Sequence, residues 1–104
     1  MNKELDTILK ALDDAKLYNI SLYDLCETNP FYNYVFIATA SNKRQLQAAL
    51  REIDEKEITY SHIEGRDTDW ILVDADDILI NVMTSESRDL YSLDNLYLNS
   101  KKLI

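Results

Sequence analysis

The sequence has few residues that interrupt regular structure: its 104 residues include one glycine, Gly65, and one proline, Pro30. Little of the chain is therefore expected to be loop. Cys26 is the only cysteine, so a disulfide within the chain and a zinc-type cysteine spacing are both excluded. Such sparse use of cysteine is typical of proteins in a reducing compartment. The first 16 residues contain no continuous apolar run. This excludes a signal peptide or membrane helix there and predicts a cytoplasmic protein.

Basic residues are also scarce, with 11 lysines and arginines against 19 aspartates and glutamates and a net charge of −8. Neutralising phosphates requires the opposite sign, so direct binding to nucleic acid or to an anionic membrane is disfavoured. A basic partner is the natural complement, although the same acidity could serve solubility alone. With 46% hydrophobic and 29% charged residues, residues 1–104 are expected to form one globular domain with one core.

The spacing of apolar residues predicts eight elements. Leu5, Ile8 and Leu12 share one helical stripe, whereas "YVFIATA" has the β-branched and aromatic composition of a buried strand. Either Ser41 or Asn42 is expected to cap the second helix. In chain order the predicted elements are a helix over 2–16, a short strand within 18–27, a strand over 34–40, a helix from 41 or 42 to about 55, strands over 58–65, 70–74 and 78–84, and helix or helical turns over 85–98.

These elements define an α/β domain with a mixed five-stranded sheet and packed helices, in the order α-β-β-α-β-β-β-α. The strand over 34–40 should be central, and it should run parallel to the strand that follows the second helix, because the connection is a crossover. The segment "ADD" should join the last two strands in an antiparallel hairpin. Leu90, Leu93 and Leu96 are expected to dock the last helix on the sheet. The topology is similar to that of nucleotidyltransferases, without their Gly-Ser active-site motif.

The stretch from His62 to Met83 is the candidate site, and it lacks the parts of common catalytic centres. The lone Gly65 cannot form a Gly-rich phosphate loop, and the aspartates do not follow a calcium-loop pattern. His62 has Glu64 on its strand face but no recognisable nucleophile. We therefore expect no catalytic residue, no metal and no cofactor. The alternative is a small enzyme or vestigial nucleotidyltransferase, with a concave pocket around His62, Asp74 and Asp77.

The alternation of side chains along residues 70–83 points to a binding surface instead. One face of the two strands is strictly apolar and should meet helices; it carries Ile71, Val73, Ile78, Ile80 and Val82. The opposite face carries Trp70, Leu72, Asn81 and Met83 beside Asp74. Large apolar groups rimmed by acids are typical of a protein-binding patch, with Trp70 as its leading contact. Two alternatives stay open: Trp70 could be covered as core, or the patch could pair with itself in a homodimer.

The chain resembles the ribosomal silencing factors, or Iojap-like family, over nearly its full length. The resemblance is carried by "YVFIATASNKRQLQA" and by "HIEGRDTDWILVDADDILINVMTSESRDLYSLDNLYL". The matching positions in the second segment are His62, Glu64, Gly65, Trp70, Leu72, Asp74, Asp77, Arg88, Tyr91, Leu93 and Leu96. The positions that depart from the family pattern are Asn33, Ala40, Gln45, Asn81, Met83 and Tyr97.

The resemblance implies a translation repressor that is not an enzyme. Its implied partner is the large ribosomal subunit, contacted through that subunit's protein number fourteen at the face that meets the small subunit. Docking there is expected to block subunit joining sterically. The candidate partner-binding residues are Trp70, Leu72, Asp74, Asp77, Asn81, Tyr34 and Arg44.

Overall fold

The computed structural model describes residues 2–104, which form three α-helices, one 3-10 helix and six strands. In chain order these are α1 (Lys3–Asp14), β1 (Tyr18–Asp24), β2 (Tyr34–Ala40), α2 (Lys43–Glu55), β3 (His62–Glu64), β4 (Trp70–Ala75), β5 (Ile78–Thr84), α3 (Ser85–Tyr91), the 3-10 helix (Leu93–Tyr97) and β6 (Lys101–Lys102). The side chains of Asn2, Asn42 and Thr84 each accept a hydrogen bond from the backbone N–H three residues later. Each α-helix therefore begins at a polar cap, and Asn42 is the cap of α2.

The six strands form one sheet in the order β3-β4-β5-β2-β1-β6. The prediction of five strands is wrong, because Lys101 and Lys102 pair antiparallel with Asp24 and Tyr23 of β1. Two exposed lysines carry no apolar alternation, so the sequence pattern gave no sign of this strand. The mixed sheet with packed helices is as predicted.

The strand β2 is central, as predicted, lying between β5 and β1 with its last six residues buried. It pairs parallel with β5, from Tyr34 opposite Ile78 to Ala40 opposite Thr84, while β4 and β5 form the predicted antiparallel hairpin. The strands β2 and β3 run in the same direction, but β4 and β5 lie between them. A crossover helix fixes the direction of the strand it leads to, and it leaves open how many strands it passes.

The two faces of the sheet have different covers. The larger core contains α1, α2 and the strictly apolar strand faces; its largest buried members include Ile8, Leu12, Phe36, Leu46, Ile53, Ile71 and Ile80. On the opposite face a smaller cluster joins Tyr23, Ile37 and Met83 to Leu93. The rings of Tyr23 and Tyr97 stack there at 5.3 Å between centroids. The 3-10 helix therefore covers only part of this second face.

The segment over 85–98 is helical, as predicted, but it is divided at Ser92, which has a left-handed φ of 47°. Of the three leucines expected to dock it, only Leu93 is buried, whereas Leu90 and Leu96 are 75% and 73% exposed. The break at Ser92 rotates the second turn, so that a spacing of three no longer keeps the leucines on one face. Within residues 2–104 no helix has the length and apolar character needed to cross a bilayer.

Candidate partner-binding site

Trp70 opens β4 on the second face of the sheet and is half-buried. Its indole Nε1–H donates a hydrogen bond of 2.9 Å to Oδ1 of Asn81, and its ring lies 5.3 Å from that of Tyr91, tilted by 41°. Trp70 is thus neither fully covered as core nor free to rotate. The edge of an indole held in this way is available to a partner while its orientation is fixed.

Asn81 was predicted to contact the partner, but its side chain is buried and only 3% of the residue is exposed. Its Nδ2 donates to the carbonyl of Phe36 at 3.3 Å while its Oδ1 accepts from Trp70. Met83 of the same face is fully buried. The burial has a physical reason: β5 lies inside the sheet, and on this face Trp70 bonds to Asn81 while Leu93 joins the cluster of Met83. Asn81 acts by holding the indole.

The position of Trp70 depends on the turn that precedes β4. Gly65 has a φ of +80°, and a Cβ at this residue would lie 2.1 Å from the carbonyl oxygen of Trp70. The hydroxyl of Thr68 donates towards the carbonyls of Gly65 and Trp70, at 2.9 Å each. A residue with a side chain would force this close approach apart, which explains why the one glycine stands here.

A groove runs between Trp70 and α3. It has a volume of about 480 Å³ and is lined by Thr68, Asp69, Trp70, Glu86, Ser87, Leu90 and Tyr91, and we call it the Trp70 groove. Leu90 and Tyr91 form an apolar wall that is 75% and 58% exposed, and the acids Asp69 and Glu86 are exposed at its edge. Among residues 2–104, the ion-pair partner of Asp69 is a distant one, Lys43, at 3.9 Å. An exposed pair of this length contributes little, so Asp69 stays available to another cation.

The α3 wall of the groove was missed by the sequence pattern, which assigned Leu90 to the core. The signal that could have revealed it is Tyr91, whose ring belongs to the second face together with Trp70. Continuing along β4, Leu72 and Asp74 share the face of Trp70 and are half-buried. The strand β3 places Glu64 opposite Leu72 and His62 opposite Asp74. The apolar surface therefore extends from the groove towards an acidic edge.

The two acids predicted to touch the partner are both tied to the loop before β2. The hydroxyl of Tyr32 donates to Asp74 at 3.1 Å, and the carboxylate raises the pKa of that hydroxyl. Asn33 donates to the Asp77 carboxylate and, through its backbone N–H, to the Asp77 carbonyl, at 2.7 Å each. Phe31 in the same loop is 79% exposed. Tyr32 and Phe31 are further surface residues that the periodicity of strands could not indicate, since they lie in a turn.

Tyr34 and Arg44 lie apart from these residues. Tyr34 packs against the larger core, beneath the opposite face of the sheet. Because side chains alternate along a strand, its even-numbered position in β2 points it away from the face of Ile37. Arg44 is exposed in the first turn of α2, a helix that packs on that same opposite side. Both residues thus belong to the side of the sheet opposite to Trp70, and their contact with the partner stays a prediction.

The side chains that the alternative enzyme would use are either exposed or already hydrogen-bonded to a neighbouring loop. His62 and Glu64 approach at 3.2 Å between Nε2 and Oε1, and both side chains are more than 60% exposed, at 62% and 64%. Asp74 and Asp77 are held separately, by Tyr32 and Asn33. In the described part of the chain no three histidine, cysteine, aspartate or glutamate side chains are placed to hold a metal ion.

This fold is shared with solved structures. A crystal structure of a protein from Chromobacterium violaceum superposes with a TM-score of 0.84 at 26% identity, over 93% of this chain and 87% of that one. A protein from Bacillus halodurans gives a TM-score of 0.82 at 23% identity, over 99% of both chains. The chain thus has the mixed α/β fold of these proteins.

The sequence identifies the family. The family model described as "Ribosomal silencing factor during starvation" matches residues 1–104. The ribosomal silencing factor of Bacillus subtilis is 32% identical over 92 residues, covering 84% of this chain and 78% of that protein. That of Zymomonas mobilis is 31% identical over 98 residues, covering 89% and 74%. The chain therefore belongs to the ribosomal silencing factors, a family of translation regulators.

Proposed function

We propose that this protein represses translation by binding the large ribosomal subunit through the Trp70 groove and the adjoining strip of Leu72 and Asp74. The proposed contact is the subunit's protein number fourteen, at the face that meets the small subunit, as the family resemblance implies. The observation that carries the proposal is the Trp70 groove itself, a half-open aromatic and aliphatic surface on a family member. A tryptophan held at the centre of such a surface is the kind of residue on which affinity depends.

The charges around the groove favour a basic partner. Asp69 and Glu86 border it, and Asp74 and Glu64 continue the acidic edge along β4 and β3. The net charge of −8 adds a long-range field of the same sign. Such a field steers a basic protein surface into contact and raises the rate of encounter more than it slows dissociation. The site of action is then the cytoplasm, where ribosomal subunits join.

The proposed mechanism is steric exclusion. The principal extents of the domain are 35 × 31 × 22 Å, so even its smallest dimension is 22 Å. Direct contacts between two subunits require atoms to approach within roughly 3 to 4 Å. A body of this thickness on the joining face keeps the nearby surfaces apart without any chemistry. This accounts for a repressor that needs neither a catalytic residue nor a cofactor.

The test is subunit joining. Purified large subunits are mixed with the protein, small subunits are added, and joined ribosomes are separated on a density gradient. Truncation of a central interface tryptophan typically costs about 2 to 4 kcal/mol, or roughly 30- to 1,000-fold in affinity, so Trp70→Ala should restore joining. The matched control is Tyr60→Ala, a half-buried aromatic of the opposite side whose hydroxyl bonds Asp54 of α2 at 2.8 Å. It should block joining like the unmodified protein.

Two results would contradict the proposal. Trp70→Ala that still pellets with large subunits at the original affinity would remove the groove from the interface. A free protein whose molar mass in solution is that of a dimer, and which becomes a monomer on Trp70→Ala, would assign the groove to self-association instead. Melting curves recorded by circular dichroism on both variants keep loss of folding separate from loss of binding.

A further inference from the structure

Arg88 of α3 has every donor of its guanidinium satisfied. Its Nε–H and one N–H of NH2 donate to the two carboxylate oxygens of Asp94, at 2.9 Å each. The remaining donors reach Ser21 Oγ at 3.1 Å, Thr39 Oγ1 at 2.9 Å and the carbonyl of Asn19. Since a guanidinium has five N–H groups, none is left over. We call these five residues the Arg88 cluster.

The Arg88 cluster joins four elements. Asn19 and Ser21 belong to β1, Thr39 to β2 and Asp94 to the 3-10 helix, while Arg88 itself belongs to α3. The pairing of β1 with β2 shifts register between Tyr18 and Ser21, and Asn19 has a φ of 47° in this bulge. A bulge re-aims the backbone groups of the extra residue, which explains how a strand carbonyl comes to face Arg88.

The cluster is partly shielded from solvent. The side chain of Arg88 is 14% exposed and that of Asp94 is 34% exposed. The hydroxyl of Tyr23 also donates to Asp94, at 2.8 Å. The hydrogen bonds from Arg88, followed by that from Tyr23, hold the pKa of Asp94 below its usual value despite the opposing effect of burial. A planar, two-pronged contact of this kind fixes direction as well as distance.

The helix α3 has little else to hold it in place. It spans seven residues, and Ser87 is its only buried one. A helix of this length is unstable by itself, and in proteins the burial of an apolar face normally provides its stability. Here Leu90 and Tyr91 remain mostly exposed as the wall of the Trp70 groove. The direction of that wall therefore depends on the polar contacts of Arg88, in the middle of the same helix.

We propose that Arg88 is a positioning residue for ribosome binding: by fixing α3 to β1, β2 and the 3-10 helix, it holds Tyr91 and Leu90 against Trp70 in the orientation that a partner meets. This inference rests on the proposed function of the Trp70 groove. Arg88 itself faces the sheet and lines a separate cavity of about 590 Å³ together with Ser21, Thr39 and Asp94. In this proposal it does not touch the partner. Its effect on affinity is transmitted by α3.

The experiment compares Arg88→Gln, Arg88→Lys and the unmodified protein in two measurements. The first is affinity for purified large subunits. The second is quenching of Trp70 fluorescence by acrylamide in the free protein, which is specific because Trp70 is the only tryptophan. In Arg88→Gln we expect affinity to fall by about tenfold or more, because displaced Tyr91 and Leu90 side chains would weaken the surface that the partner meets. We also expect Trp70 to become more accessible to acrylamide. Compared with Arg88→Gln, Arg88→Lys should recover only part of the affinity and part of the protection of Trp70 from acrylamide, because one ammonium cannot reach all these acceptors.

The control is Lys56→Met on the opposite side of the sheet. Lys56 joins α1 to α2 through Asp14 and Glu52, at 2.8 Å each, and does not touch α3. It should lower stability while leaving affinity and quenching unchanged. All comparisons are made at a temperature where circular dichroism shows every variant to be folded.

Two results would overturn the inference, and a third would overturn the proposed function on which it rests. Arg88→Gln with unchanged affinity and unchanged quenching would overturn it. Equal losses of affinity in Arg88→Gln and Lys56→Met would also overturn it, since Arg88 would then act through general stability. If the unmodified protein failed to bind large subunits, the proposed function would fall, and the quenching measurement would still decide whether Arg88 holds α3 against Trp70.

Discussion

The hydrogen bond between Trp70 and Asn81 should stabilise the fold as well as orient the indole. Trp70→Phe keeps a ring against Tyr91 and removes the Nε1–H, which is the donor to Oδ1 of Asn81 at 2.9 Å. Asn81 is 3% exposed, so water cannot readily replace the lost donor. Leaving a buried acceptor unsatisfied costs about 1 to 3 kcal/mol. For a domain of this size that corresponds to a melting temperature lower by roughly 5 to 14 °C.

The assay is urea unfolding, with Asn81→Leu added in the Trp70→Phe background. Removing both partners of a buried hydrogen bond is far less costly than removing one, so the double variant should recover part of the lost stability. Recovery will be incomplete, because the amide also donates to the carbonyl of Phe36 at 3.3 Å. The reasoning is refuted if Trp70→Phe unfolds at the same urea concentration as the unmodified protein. It is equally refuted if Asn81→Leu destabilises the Trp70→Phe variant further.

Three other predictions concern the turn before β4, acid stability and association. Gly65→Ala should lower the free energy of unfolding by more than about 1 to 2 kcal/mol. The substitution places a Cβ on a left-handed backbone and 2.1 Å from the carbonyl oxygen of Trp70. The control Asp67→Ala, at a nearby exposed residue, should leave the urea midpoint unchanged. The Lys10 and Lys56 ammonium groups lower the pKa of Asp14 from 3.8 to about 2, so its contribution to stability is complete above the higher value and is lost as pH falls towards the lower one. The difference in urea midpoint between Asp14→Asn and the unmodified protein should therefore shrink from pH 5 to pH 2, and a constant difference would contradict this assignment. The association rate with large subunits should fall as salt rises to physiological strength, where screening acts over about 8 Å, and a rate indifferent to salt would exclude steering by the rim acids.

The sequence alone determined which residues face which side of the sheet. Alternation along β4 and β5 separated Ile71 and Val73, which are buried beneath α1 and α2, from Trp70 and Leu72 on the other face. The uncharged run over 34–40 identified the central strand, and the polar pair Ser41 and Asn42 identified the start of α2, where Asn42 is the cap. These features were readable because neighbouring residues in one strand or helix turn sample the same two environments, core and solvent.

The tertiary structure decided which parts of the second face stay open. Local periodicity assigned Leu90 to the core and Asn81 to the surface, and both were reversed when α3 and the 3-10 helix folded back over β1, β2 and β5. The bulge at Asn19 and the break at Ser92 direct that return, together with the contacts of Arg88 to residues 49 to 69 positions away. A periodic pattern records whether a face is apolar, whereas the cover on that face comes from segments distant in the chain. The Trp70 groove therefore lies at the border of that cover, between Trp70 and α3.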